Sequence, residues 1–375
     1  MNKTHHSQRN SNLEILRIIA IIFIISFHLA RHGFDGVDFL LSNPNSYFLY
    51  FLGILGKIGV DIFILISAYF MIKSKFTFRK LLVLGGEVYF YSIIFLIIFT
   101  LFITPLIPIT ITDIIQSILP ISHKAYWFIT DYIILMLLSP FLNIAINKLS
   151  RSNFLKLLLL VIFIWTIYPT FTGDSFEVSE MMFFFVLYLL GSFIRLHVDI
   201  DKIDLKKVIL VCSISLILTY VLFAGFDSIE PLRHLTFFNK ETSIFKRANS
   251  LFVVLSSISL FLIFLKKKEF SNKYINYLSG SVLGVYLIHS NPFVYPWLLN
   301  KFLHLQTYIN SPYLVPSLIA ITVLIYIIST GIDIVRRLTI EKIWIYIVDN
   351  KLNIIPKWFN SKFEIFEEKI NYYLK

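Results

Sequence analysis

Residues 13–30 read LEILRIIAIIFIISFHLA, an apolar run of near-spanning length that nonetheless carries Arg17 and His28. A helix rising 1.5 Å per residue crosses a membrane core with about 20 apolar residues, so both ionisable groups belong to one spanning helix. Eleven positions at 3.6 residues per turn return to within about 20° of the same face and climb roughly 16 Å. A charge inside a span is costly and raises a functional hypothesis, which a titratable imidazole on the same stripe sharpens. Glu14, Arg17, Ile21 and His28 share that stripe, continued by Arg31 or His32, and a continuous polar stripe points to a lumen through a helix bundle. Two structural readings stand beside it. Arg17 lies only a turn or so from the helix end and its side chain can snorkel to the interface. Ser11-Asn12-Leu13-Glu14 fits a capping box, which would give Glu14 a local task.

The rest of the chain agrees with a membrane setting. Of 375 residues, 57% are hydrophobic and 15% charged, and the mean hydropathy is +0.75, which describes an all-α polytopic membrane protein rather than a soluble domain. Further apolar windows fall at 48–72, 81–104, 126–146, 153–170, 180–196, 207–225, 248–265, 278–299 and 312–335, giving ten spans. With the N-terminus inside, cytoplasmic segments hold 25 Lys and Arg against 7 outside, so the positive-inside rule places both termini in the cytoplasm. That asymmetry accounts for the net charge of +11 without nucleic acid. No cleavable signal peptide is expected. Residues 1–335 read as one transmembrane domain. The tail 336–375 mixes aromatic, Ile, Lys and Glu residues, as expected of helices lying on the inner membrane surface. The long loops 104–124 and 226–247 face outward. Cys212 is the lone cysteine and lies in a span, so neither a disulfide nor a thiol metal site is available.

Several polar residues interrupt the other spans. Gly53, Gly56 and Gly59 lead us to expect a break near Lys57, of the kind tolerated where helices line a cavity. Lys57 and Asp61 are i and i+4, a spacing at which they neutralise one another; Ser67 and Tyr69 follow in the same span. In AYWFITDYIILMLLSPFLN an interfacial aromatic belt explains Trp127 and Tyr132 but not Asp131. In LGVYLIHSNP, His289 lies near mid-depth just before the breaker pair Asn291-Pro292, where hydrocarbon offers an imidazole nothing to bond. No cluster has metal-ligand spacing, and no phosphate loop or nucleophile elbow is present. Gly173-Asp174-Ser175 is similar to the opening of an esterase motif but has no domain around it.

Taken in order, LEILRIIAIIFIISFH, GKIGVDIFILISAYF, YWFITDYIILMLLSPFLN and SVLGVYLIH resemble the acyltransferase-3 family of bacterial integral membrane proteins. The resemblance runs from about residue 11 to 335, and Arg17 and His28 match the family's Arg-x10-His signature. It implies a multi-pass protein of the bacterial plasma membrane. It further implies an enzyme moving an acyl group, most often acetyl, from cytoplasmic acyl-CoA to hydroxyls of extracytoplasmic polysaccharide or lipid-linked glycan. Acyl-CoA is then a donor substrate, with no permanently bound cofactor and no metal, and association with membrane lipid and glycan-synthesis machinery follows. The Phe-, Ile-, Lys- and Asn-rich usage is similar to that of members found with capsule or exopolysaccharide clusters. His28 and Arg17 would be the catalytic pair; Lys57, Asp61, Ser67, Tyr69, Trp127, Asp131, Tyr132, His289 and Asn291 would bind substrate. Two departures stand out: Ser67-Ala68-Tyr69 replaces the family's Ser-Gly-Tyr/Phe, and Asp131 occupies a position commonly small. A rival reading is a polysaccharide exporter or flippase, which polar stripes and broken helices fit as well.

Overall fold

The computed structural model describes residues 9–34, 43–103, 109–173, 179–228, 247–352 and 354–373. Its described residues are all-α. The long apolar runs become α1 (Ser11–His32), α2 (Pro44–Met71), α3 (Phe78–Ile98), α5 (Trp127–Lys148), α6 (Arg151–Ile162), α8 (Glu180–His197), α9 (Leu205–Ser228), α10 (Leu251–Lys266) and α13 (Leu314–Leu338). Shorter pieces are α4 (Ile111–Ile118), α7 (Tyr168–Thr172), α11 (Lys273–Ser279) and α12 (Val282–His289), and the chain ends in α14 (Ile340–Asn350) and α15 (Ile354–Tyr373). Turns of π-helix extend α3 through Phe99–Ile103 and join α6 to α7 through Phe163–Ile167.

Eight of these helices are long and apolar enough to cross a membrane. Two expected spans differ. α10 has 16 residues, fewer than the about 20 that cross a membrane core. The window 278–299 is not one helix: it divides at Ser290–Phe293, where Pro292 has no N–H to continue a ladder and the Asn291 Oδ1 accepts from the Phe293 and Val294 N–H groups. Most of the expected loop 226–247, and Asp174 and Ser175, lie outside the described residues.

The expected break near Lys57 is absent, and α2 runs unbroken for 28 residues. Its glycines serve packing instead. A Cβ at Gly56 would overlap Phe27, and one at Gly59 would stand 2.6 Å from the Ala20 carbonyl oxygen, so the two positions, one turn apart, let α2 lie close against α1. Gly53 faces open space. The capping box is also absent: Asn10 caps α1 by accepting from the Asn12 N–H, while the Ser11 hydroxyl donates to Asn276 and accepts from the Asn272 N–H.

α2 is the hub, packing on α1, α8 and α10. At its Ser67-Ala68-Tyr69 turn the close approach survives because the glycine stands on the partner helix: a Cβ at Gly191 of α8 would meet Ala68 Cβ at 2.7 Å and the Leu65 oxygen at 2.9 Å.

The C-terminal segment clamps α3. Arg79 grips Asp349 with Nε and Nη2 at 2.6 and 2.9 Å, Trp344 donates to the Leu82 oxygen over Gly86, and Phe359 stacks on Phe78. Deeper, Arg336 is buried against Asp333 (2.8 Å), Glu87 (3.0 Å) and Glu341 (3.4 Å), and Tyr91 donates to Asp333. A cation in a low-dielectric setting needs such partners, and the cluster ties α3, α13 and α14 together.

Candidate active site

One cavity of about 880 Å³ runs beside α1. Arg17, Ile21, Ile24, His28 and His32 line it at helical spacing, and Gly56, Val60, Phe63 and Ser67 form the matching stripe on α2, with Lys57 beside them. α5 closes it with Trp127, Phe128, Asp131 and Tyr132, and the Ser279-Gly280 turn and α12 complete the wall with Val282, Leu283 and Tyr286. The expected polar stripe therefore does face a lumen. Its two ends carry ion pairs, and between them apolar walls hold Lys57, His28 and His32.

At one end sit Arg17 and Glu14. Arg17 Nη1 bonds both Glu14 oxygens at 3.0 and 3.1 Å, and the Ser279 hydroxyl donates to Glu14 Oε2 at 2.6 Å. So Glu14 is no cap, and Arg17 is held in place by an ion pair. Among the described residues no protein group bonds the Nε and Nη2 edge of Arg17. That leaves a planar fork suited to an anion. At the other end Lys124 Nζ stands 3.8 Å from Asp131, with Trp127 and Glu180 alongside.

Between the ends lies the feature that sequence spacing could not foresee. His28 Nδ1 is 3.0 Å from His289 Nε2, and His289 Nδ1 is 2.6 Å from the Val285 carbonyl oxygen. A carbonyl only accepts, so His289 Nδ1 carries the proton and Nε2 is left with a lone pair. His28 Nδ1–H then donates to it, which leaves His28 Nε2 as an unprotonated base. The Ser290 hydroxyl, 3.3 Å from His28 Nδ1 and 3.2 Å from His289 Nε2, flanks the pair. His28 and His32 both pack against the Tyr295 ring, His32 edge-on at 5.0 Å.

The other sequence candidates divide. Lys57, Ser67, Trp127, Asp131 and Tyr132 line the cavity with Arg17 and His28. Asp61, Tyr69 and Asn291 do not. The expected Lys57–Asp61 pair is not formed: Asp61 is wholly buried and accepts from the Ser257 hydroxyl of α10 at 3.0 Å, while Lys57 turns to the cavity. Tyr69 accepts from Arg195 Nη1 at 2.8 Å, and Asn291 donates to the Tyr126 hydroxyl at 2.7 Å. Glu14, Lys124 and Glu180 line the cavity without having been candidates; only Glu14, on the Arg17 stripe, was within reach of periodicity. Among the described residues no group of His, Cys, Asp and Glu is placed to hold a metal.

A cavity with charged ends between closely packed apolar helices, with His28 in its wall, is a site built inside a multi-pass membrane protein. The family model for an acyltransferase domain, that of acyltransferase 3, matches residues 10–330, and the chain belongs to the acyltransferase-3 family of acyl-transferring enzymes. No curated protein and no solved structure matches it significantly.

Proposed function

We propose that this enzyme transfers an acyl group, acetyl in the simplest case, from cytosolic acyl-CoA to a hydroxyl of an extracytoplasmic polysaccharide or lipid-linked glycan. The observation that carries the reading is the His28–His289 pair, because it supplies a tautomerically fixed base inside the same cavity that reaches Arg17. The loop charges support an orientation with the Arg17 end toward the cytosol and the Trp127/Asp131 end toward the exterior of the plasma membrane.

Each part then has a task. The Arg17 fork takes a phosphate of CoA, a bidentate geometry that lysine cannot reproduce. The axial climb of roughly 16 Å from Arg17 to His28 leaves an extended, apolar-walled path for the donor arm. Trp127 and Tyr132 offer flat apolar faces, and Asp131 a hydrogen-bond acceptor, to a sugar. His28 Nε2 takes the proton of the acceptor hydroxyl as that oxygen adds to the thioester carbonyl, and returns it to the departing thiolate. An exporter would use the cavity but gives the histidine pair nothing to do.

The test is the glycan itself. Deleting the gene should leave surface polysaccharide in normal amount but without base-labile ester signals in its NMR spectrum, and His28→Ala should fail to restore them at wild-type protein level. Loss of the polysaccharide as a whole would replace this reading with export.

A further inference from the structure

Lys57 is a cation at membrane depth that forms no ion pair among the described residues. Its i+4 carboxylate, Asp61, accepts from the Ser257 hydroxyl of α10 and acts on Lys57 only at longer range than an ion pair. The two ion pairs lining the cavity, Glu14–Arg17 and Lys124–Asp131, occupy its ends. What holds Lys57 is a ring: Nζ stands 5.1 Å from the centroid of Phe27, whose own centroid is 5.4 Å from that of His28. The level is fixed by backbone packing, since Gly56 admits Phe27 where any side chain would clash. The unpaired ammonium and His28 thus both lie against the Phe27 ring in one cavity. A cation without an ion pair inside a span is expensive, and such residues mark substrate and ion paths, where a ligand supplies the opposite charge.

We infer that Lys57 Nζ donates a hydrogen bond to the oxyanion of the tetrahedral intermediate, which makes it a catalytic residue. The inference rests on the acyl-transfer reading above. As the acceptor oxygen bonds to the thioester carbon, its proton passes to His28 Nε2 and the carbonyl π pair moves onto oxygen, where the ammonium meets it. Collapse of the intermediate re-forms the carbonyl, breaks the carbon–sulfur bond, and expels CoA thiolate, which takes the proton back from His28. Charge is conserved throughout, and Lys57 stays protonated. A preorganised donor aimed at charge that exists only in the intermediate raises turnover rather than affinity.

The experiment uses full-length protein in membrane vesicles that carry their own glycan acceptor, with acetyl-labelled acetyl-CoA as donor. It compares wild type, Lys57→Met, Lys57→Arg and His28→Ala at matched protein level. The methionine variant should lose about 10²- to 10³-fold in kcat while acetyl-CoA binds to within twofold of wild type, and arginine should recover at least tenfold of that loss. Two results would overturn the assignment: Lys57→Met turning over within threefold of wild type, or a loss confined to KM, which would make Lys57 a binder of anionic substrate. A third, equal losses in both Lys57 variants with a matching fall in thermal stability, would reduce it to a packing residue. If wild type transfers label and His28→Ala does not, an active Lys57→Met sinks only this inference. If wild type transfers nothing from acetyl-CoA, the acyl-transfer reading with that donor falls first.

Discussion

His289 does not line the cavity, yet the geometry gives it control of the residue that does. Replacing it with alanine removes the acceptor that fixes the His28 tautomer and leaves a buried Nδ1–H with only Ser290 to turn to. A buried donor left unsatisfied costs about 1–3 kcal/mol. At 1.36 kcal/mol per decade this converts to a rate loss of about 5- to 150-fold, because the lost interaction orients the base in the transition state. His28→Ala removes the base and should cost about 10²–10⁴-fold. The two must therefore be ordered, and they must not add: the double variant should be no slower than His28→Ala alone, since His289 acts only through His28. Initial rates of label transfer from acetyl-CoA in vesicles measure all three. A double variant slower than His28→Ala by the full His289 factor would refute the relay, as would a His289→Ala enzyme at wild-type rate.

Three further outcomes follow from packing and charge. Gly191→Ala brings a methyl to 2.7 Å from Ala68 Cβ, and overpacking of this kind costs about 1–3 kcal/mol; thermal unfolding in detergent should show the loss, and adding Ala68→Gly should recover part of it. Arg336→Leu strands Asp333, Glu87 and Glu341 beside one another and should destabilise by about 3–5 kcal/mol, visible as a fall in the aggregation midpoint by size-exclusion chromatography. The hydrogen bonds and charge of Arg79 hold the exposed Asp349 carboxyl below the ordinary carboxylate range. The α14 clamp is therefore at full strength above that range and weakens as pH falls through the lowered value. Amide exchange in α14 should rise at acid pH in wild type, and Asp349→Asn should already exchange at the faster rate at neutral pH.

What could be read in advance was what lives inside one helix. The Arg17–His28 stripe is a matter of 3.6-residue periodicity, and the cavity follows it from Glu14 to His32. What could not be read depended on a second helix. Gly56 and Gly59 look like breakers when α2 is considered alone and become contact surfaces only when Phe27 and Ala20 are brought against them. The i+4 rule paired Lys57 with Asp61 because it knows nothing of Ser257, nearly two hundred residues away on α10. His289 was noticeable for its depth, yet its partner is 261 residues distant and no local pattern names it. Hydropathy also read residues 278–299 as one helix, since it registers apolar content and not the missing N–H of Pro292.

The histidine chain ends on the Val285 carbonyl, a neutral dipole with no proton to release and no negative charge to lend. Such a chain can aim a base but cannot drain it. A proton accepted by His28 has no exit through His289, whose Nδ1 hydrogen is already committed, so it must leave by the face through which it entered. Under the proposed acyl transfer the proton is thereby handed on within a single turnover, from the incoming hydroxyl to the outgoing sulfur. A membrane protein with a cavity among its spanning helices has reason to be built this way: a wire that stops at a backbone carbonyl can serve a proton transfer inside the site without becoming a leak between two compartments.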